Sequence, residues 1–220
     1  MNSWRLAGLS FAALAVAAVA ARLSDSPQIW HLNRAAGFVS YGLLWVSAMA
    51  GMALPLRFRP LRTRQSVIFE LHRVTGVLAL AFLGGHLYAV LLDPWISFTP
   101  IDVLLGFTAP YRPLALGLGS AAAWLVAAVL ATTALSSRFS YRTWRNLHRL
   151  AFPAYVLAFL HLLLAGTDAA NPWVLAFAGL TAGAVGGMAT LRLFGTDQPQ
   201  IPRQPANSSP TGPRYAAPGR

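Results

Sequence analysis

The chain has 220 residues, 56% of them apolar and only 10% charged, with 17 basic residues against 6 acidic ones and no cysteine. A soluble domain carries about 25% charged residues, so this composition excludes one. The net charge of +11 is not a nucleic-acid footprint either, because long stretches carry no charge at all. Without cysteine there is no disulfide framework, thiolate metal site or thiol chemistry. A membrane-crossing helix needs about 20 apolar residues, so the length accommodates about six helices with short loops.

In chain order, six apolar segments are expected to be helices: 6–21, 35–56, 67–92, 114–135, 147–165 and 172–193. The first is short for a bilayer, and its Ala-rich end also resembles a signal peptide. Both readings stand, and the topology below favours an uncleaved helix. Residues 93–113 hold four prolines among Trp95, Ile96, Phe98, Val103, Leu104, Leu105 and Phe107. This stretch is too broken to span; it is read either as an interfacial anchor or as a cover over the outer mouth. Residues 195–220 carry prolines at 199, 202, 205, 210, 213 and 218 and are expected to be disordered. No internal repeat is evident.

Every basic residue is an arginine. Arg57, Arg59, Arg62 and Arg64 follow the second segment, Arg138, Arg142 and Arg145 the fourth, and Arg192, Arg203, Arg214 and Arg220 lie at or beyond the sixth. The opposite loops hold Asp25, Asp93, Asp102 and Asp168. The excess of positive charge belongs on the cytoplasmic side. Six helices therefore place both termini inside, and the expected location is the bacterial inner membrane.

Of the five histidines, His72, His86, His148 and His161 fall within the apolar segments, where an ionisable residue is a functional signal by default. His31 lies outside them and is read as interfacial. His72 and His86 are fourteen residues apart, almost four turns and about 21 Å along one face. His148 and His161 are thirteen apart, a similar rise of about 20 Å. Both segments run from inside to outside, so the sequence predicts two facing pairs at two depths, as two bis-histidine haems require. Thirteen residues rotate His161 about 140° from His148 on an ideal helix, so a bend is needed, and Pro153 can supply it. Zinc fits less well, because the pairs lie too far apart to share an ion and no carboxylate or thiolate stands beside them. Gly76, Gly84 and Gly85 suit a flat cofactor or close helix packing. Phe82, Tyr88, Trp144, Phe152 and Tyr155 are aromatic neighbours, read chiefly as packing.

The runs Glu70-Leu71-His72 with His86, and Trp144-Arg145-Asn146-Leu147-His148 with His161, resemble the ferric reductase-like transmembrane domain. That family includes the NADPH oxidases, the eukaryotic ferric reductases and the haem-binding membrane subunit of the bacterial periplasmic methionine sulfoxide reductase. The resemblance spans residues 32–193. It implies an all-α membrane protein: a six-transmembrane-helix bundle with two stacked bis-His haem b sites, His72 with His148 inside and His86 with His161 outside. It divides the chain into a first helix and outer loop (1–30), the haem-binding domain (31–194) and a proline-rich tail (195–220). Leu32-Asn33-Arg34 resembles the outer arginine segment of the oxidases, which implies that Arg34 holds an outer-haem propionate or the electron acceptor. Arg112 is a second propionate partner by location alone. Arg73, Arg145 and Arg149 are read as topology anchors, as inner-haem propionate partners or as contacts to a cytosolic partner.

The oxidases continue into a cytosolic flavin and nicotinamide domain, whereas residues 195–220 carry no Gly-rich dinucleotide motif. FAD or FMN is therefore expected only through a partner. The methionine sulfoxide reductase subunit also lacks that domain, although its inner histidine on the third helix can be missing, and here His72 is present. The expected function is transmembrane electron transfer from a cytosolic flavin reductase or membrane quinol to a periplasmic or extracellular acceptor. The alternatives are the haem subunit of a methionine sulfoxide reductase pair, a quinol-oxidising cytochrome b subunit and, last, a non-redox membrane protein.

Overall fold

A computed structural model describes residues 3–23, 28–56 and 63–194. Arg57, Arg59, Arg62, Asp25 and the 195–220 tail lie outside the described residues. The described chain folds as α1 (Ser3–Leu23), α2 (Gln28–Leu56), α3 (Gln65–Leu91), α4 (Pro100–Leu105), α5 (Pro113–Ala134), α6 (Tyr141–His148), α7 (Ala151–Ala165) and α8 (Pro172–Phe194), with one turn of 3₁₀ helix at Ser136–Arg138. Among the described residues six helical stretches are long and apolar enough to cross a membrane, α6 and α7 together making one of them. The protein is a multi-pass membrane protein.

The bundle buries small residues and exposes large ones. Ala18, Ala36, Ala89, Ala154 and Thr181 are buried, while Val16, Leu23, Leu180 and Trp173 are exposed. In lipid no hydrophobic drive separates Leu from its surroundings, so helices associate by close backbone approach and interhelical hydrogen bonds. α3 packs against α2 and α1, α5 against α7, and α2 against α8 and α7. Gly84 and Gly85 form a notch in α3 that receives Phe11 and Leu14 of α1; a Cβ on Gly85 would stand 2.7 Å from Leu14 Cδ1. Ser40 donates to the Ala79 carbonyl across α2 and α3 at 3.0 Å. Deeper in the bundle, the Tyr41 hydroxyl bonds both Tyr155 (2.9 Å) and Thr181 (2.7 Å), joining α2, α7 and α8.

Between the third and fourth spans, 93–112 is partly helical. The Thr99 hydroxyl accepts from the Asp102 N–H, and the Asp102 carboxylate accepts from the Thr99 N–H, a reciprocal cap with Pro100 in the first turn. α4 ends at Gly106, whose φ of 70° suits a residue without Cβ. A Cβ there would also lie 2.5 Å from Gly117 Cα, so α4 seats directly on the α5 backbone. Trp124 and Ser120 of α5 donate to the Leu104 and Val103 carbonyls and hold it there. Ile96, Phe98, Asp102 and Val103 thus cover a cleft, while Trp95, Leu104, Leu105 and Phe107 face outward.

The fifth span starts earlier than hydropathy suggests. Ser140 caps α6 by accepting from the Thr143 N–H at 3.1 Å. The helix then breaks at Arg149–Leu150. Pro153 has no N–H for the Arg149 carbonyl four residues back, and its ring crowds that carbonyl. The break therefore lies one turn before the proline, and it divides His148 on α6 from His161 on α7.

Candidate functional site: two facing histidine pairs

His72 of α3 and His148 of α6 face each other, with ring centroids 5.9 Å apart and planes at 76°. His86 of α3 and His161 of α7 do the same at 6.2 Å and 73°. A metal–imidazole bond is about 2.0 Å. With roughly 1.1 Å more from nitrogen to ring centre, two axial imidazoles on one metal place their centroids about 6 Å apart.

Each ring has its Nδ1 already engaged. His86 Nδ1 meets the Asn33 carbonyl at 3.0 Å, His161 Nδ1 the Ala115 carbonyl at 2.8 Å, and His72 Nδ1 the Ser47 carbonyl at 2.8 Å and the Ser47 hydroxyl at 3.0 Å. Among the described residues, His148 Nδ1 meets only the Thr133 hydroxyl, at 3.4 Å. A carbonyl acceptor places the proton on Nδ1 and leaves Nε2 as the ligating nitrogen.

Glycine opens the way to those carbonyls. A Cβ on Gly37 would lie 3.1 Å from His86 Nδ1, one on Gly51 3.1 Å from His72 Nδ1, and one on Gly119 2.6 Å from His161 Nδ1. Each glycine stands four residues after the acceptor (Asn33, Ser47, Ala115), over the carbonyl that the histidine reaches. Sequence reasoning named none of these glycines, and of the acceptors only Asn33, for its place beside Arg34 and not for its carbonyl.

The outer pair borders a cleft of about 280 Å³, partly open to solvent, close to the lower end of the roughly 300–1,000 Å³ of an ordinary ligand pocket. α2, α3, α5 and α7 line it, and the 96–103 segment covers it. Asn33 Oδ1 is buried there and meets no partner among the described residues. Beside the inner pair, the Trp144 indole stacks on His148 at 5.1 Å, and its Nε1 is likewise buried and unpartnered among the described residues. No group of three or more His, Asp or Glu side chains comes together among the described residues.

Arg34 lines the cleft, ion-paired with Asp168 and 4.0 Å over the Trp30 ring. Arg112 does not line it. The Arg112 backbone caps α5 in the left-handed region, and its guanidinium donates to the Leu164 carbonyl at 2.8 Å. His31 is exposed and stands edge-on to Trp30, apart from both pairs. At the other end, Arg73 pairs with Glu70 and donates to Ser3, and Arg149 donates to Asn146. Arg145 and Arg149 both lie within electrostatic reach of Arg192.

The family model for the ferric reductase like transmembrane component matches residues 36–159. The chain belongs to the ferric reductase-like transmembrane family. The match runs from the start of the α2 core to just short of His161, so it takes in His72, His86 and His148. A ferric reductase-like domain points to transmembrane electron transfer. Comparison with curated proteins and with solved structures returns no match.

Proposed function

We propose that this ferric reductase-like protein carries electrons across a membrane through two b-type haems, an inner one between His72 and His148 and an outer one between His86 and His161. The observation that carries the proposal is the spacing of the two imidazole pairs, whose ring centroids stand 5.9 and 6.2 Å apart. Two imidazoles do not satisfy an ion that needs four protein donors. They do satisfy a metal whose equatorial ligands come with a macrocycle.

The unpartnered polar atoms fit the same group. The Trp144 Nε1–H is a free donor for an anionic substituent beside His148. Arg34 offers positive charge in the outer cleft once Asp168 shares it. When bound, haem supplies a one-electron couple whose potential answers to its axial ligands and their hydrogen bonds. The protein's own work is ligation through Nε2, orientation through Nδ1, and exclusion of water by the apolar helices and the 96–103 cover.

The arginine-rich end, with Arg138, Arg142, Arg145, Arg149 and Arg192, is the cytoplasmic side by the positive-inside rule. A cytosolic flavin reductase, bringing FAD or FMN, or a membrane quinol would donate there. The acceptor would take electrons at the cleft end, in the periplasm or outside the cell, with the bacterial inner membrane as the setting. The test is purified protein in lipid vesicles, with a membrane-impermeant reductant outside and ferricyanide trapped inside. Ferricyanide loss should need the protein and vanish with His86→Ala. Equal loss in protein-free vesicles, or in the variant, would contradict the reading.

A further inference from the structure

The four Nδ1 acceptors follow a rule that breaks once. Gly37 and Gly51 lie fourteen residues apart on α2, matching the fourteen between His86 and His72 on α3. On α5, counting fourteen on from Gly119 reaches Thr133. So three histidines meet a backbone carbonyl four residues before a glycine, whereas at the fourth site a threonine stands over the Val129 carbonyl. Among the described residues His148 Nδ1 has only the Thr133 hydroxyl, at a long 3.4 Å, beyond the usual range of about 2.7–3.2 Å.

We propose that Thr133 is a positioning residue that sets the inner histidine pair electronically apart from the outer pair. This rests on the two-haem reading. A carbonyl that accepts from Nδ1–H raises the basicity of the ligating nitrogen, and a more basic axial ligand favours ferric over ferrous iron. Both outer ligands have carbonyl acceptors at 2.8–3.0 Å. Of the inner ligands only His72 does, with the Ser47 hydroxyl as a second partner. A hydroxyl can also turn and offer its proton instead, so Thr133 holds the His148 ring without committing its tautomer as a carbonyl would. This weaker hold raises the inner potential relative to a carbonyl-held site.

The rule makes Thr133 adjustable in both directions. Thr133→Val removes the acceptor. Thr133→Gly exposes the Val129 carbonyl and recreates the pattern of the other three sites. Thr133→Ser keeps the hydroxyl. Thr132→Val is the neighbouring control, since the Thr132 hydroxyl bonds the Ala128 and Val129 carbonyls and no histidine.

The experiment is a redox titration of the full chain, followed optically, with the ferric low-spin electron paramagnetic resonance spectrum recorded alongside. The outer component is assigned as the one lost in His86→Ala. The inner component should rise in Thr133→Val and fall in Thr133→Gly, stay in place in Thr133→Ser and Thr132→Val, and leave the outer component unmoved throughout. If Thr133→Val does not assemble, Thr133→Gly against Thr133→Ser carries the same test. An inner component that stays in place in the assembled Val and Gly variants, or an outer component that moves with it, overturns the role of Thr133 alone. A wild-type protein without a bis-histidine spectrum overturns the two-haem reading and this role together.

Discussion

Gly119 and His161 compete for the same space: a Cβ on Gly119 would come within 2.6 Å of His161 Nδ1 and 2.8 Å of Cε1. The imidazole can reach the Ala115 carbonyl at 2.8 Å because position 119 has no side chain. Gly119→Ala should therefore push the ring off its acceptor. Overpacking of this kind costs about 1–3 kcal/mol, and the outer haem should be lost while the inner one is kept. Thermal unfolding in detergent and haem content give the two readouts. Gly183→Ala is the control, since nothing lies within 4 Å of a Cβ there; equal behaviour of the two variants would remove the steric argument.

Tyr41 is the hub of the polar contacts that tie α8 to the bundle. Its hydroxyl bonds both Tyr155 and Thr181, while its ring stacks on Tyr155 at 5.6 Å and meets Phe177 edge-on. Tyr41→Phe keeps the rings and removes both hydrogen bonds. Interhelical hydrogen bonds in membranes average about 0.6 kcal/mol, so the expected loss is about 1 kcal/mol, and Tyr155→Phe should cost less. Unfolding in a denaturing detergent series checks the order; a larger loss for Tyr155→Phe would place the hub elsewhere.

The cover over the outer cleft should respond to acid. Hydrogen bonds from Thr99 are the main influence holding the Asp102 carboxyl below the ordinary carboxylate range, with Thr108 adding to them. Its folded pKa is thus lower than in the unfolded chain. The ionised group stabilises the 99–108 segment above the ordinary carboxylate range, and that contribution is lost as pH falls through the folded value. Hydrogen exchange of the α4 amides, corrected for intrinsic rates, should speed up on acidification in the wild type. Asp102→Asn should show little such change, and an equally acid-sensitive variant would rule out this carboxylate as the cause.

The six spans are legible as apolar runs with few charges, and the four histidines stand out because lipid disfavours them. What escaped has physical reasons. α4 is only six residues long, too short for periodicity to show, although its Thr99-Pro100-Ile101-Asp102 cap is written in the chain. α6 begins at Tyr141 behind the Ser140 cap, where polar residues dilute the hydropathy that marks α7. The acceptors Asn33, Ser47 and Ala115 act through main-chain carbonyls, and side-chain identity does not report those. Their only trace is the fourteen-residue spacing of Gly37 with Gly51 and of Gly119 with Thr133, which becomes meaningful once α2 and α5 are seen to flank the helices bearing the histidines. Arg34 was legible as an outer arginine, but its pairing with Asp168 joins residues far apart in the chain.

The most direct test of the central claim is the haem-to-protein ratio of the purified full chain, measured by pyridine haemochrome, for the wild type and for His72→Ala and His86→Ala. Two b-type haems per chain in the wild type and one in each variant is the predicted result. A wild type without haem, or either variant retaining both, would contradict it.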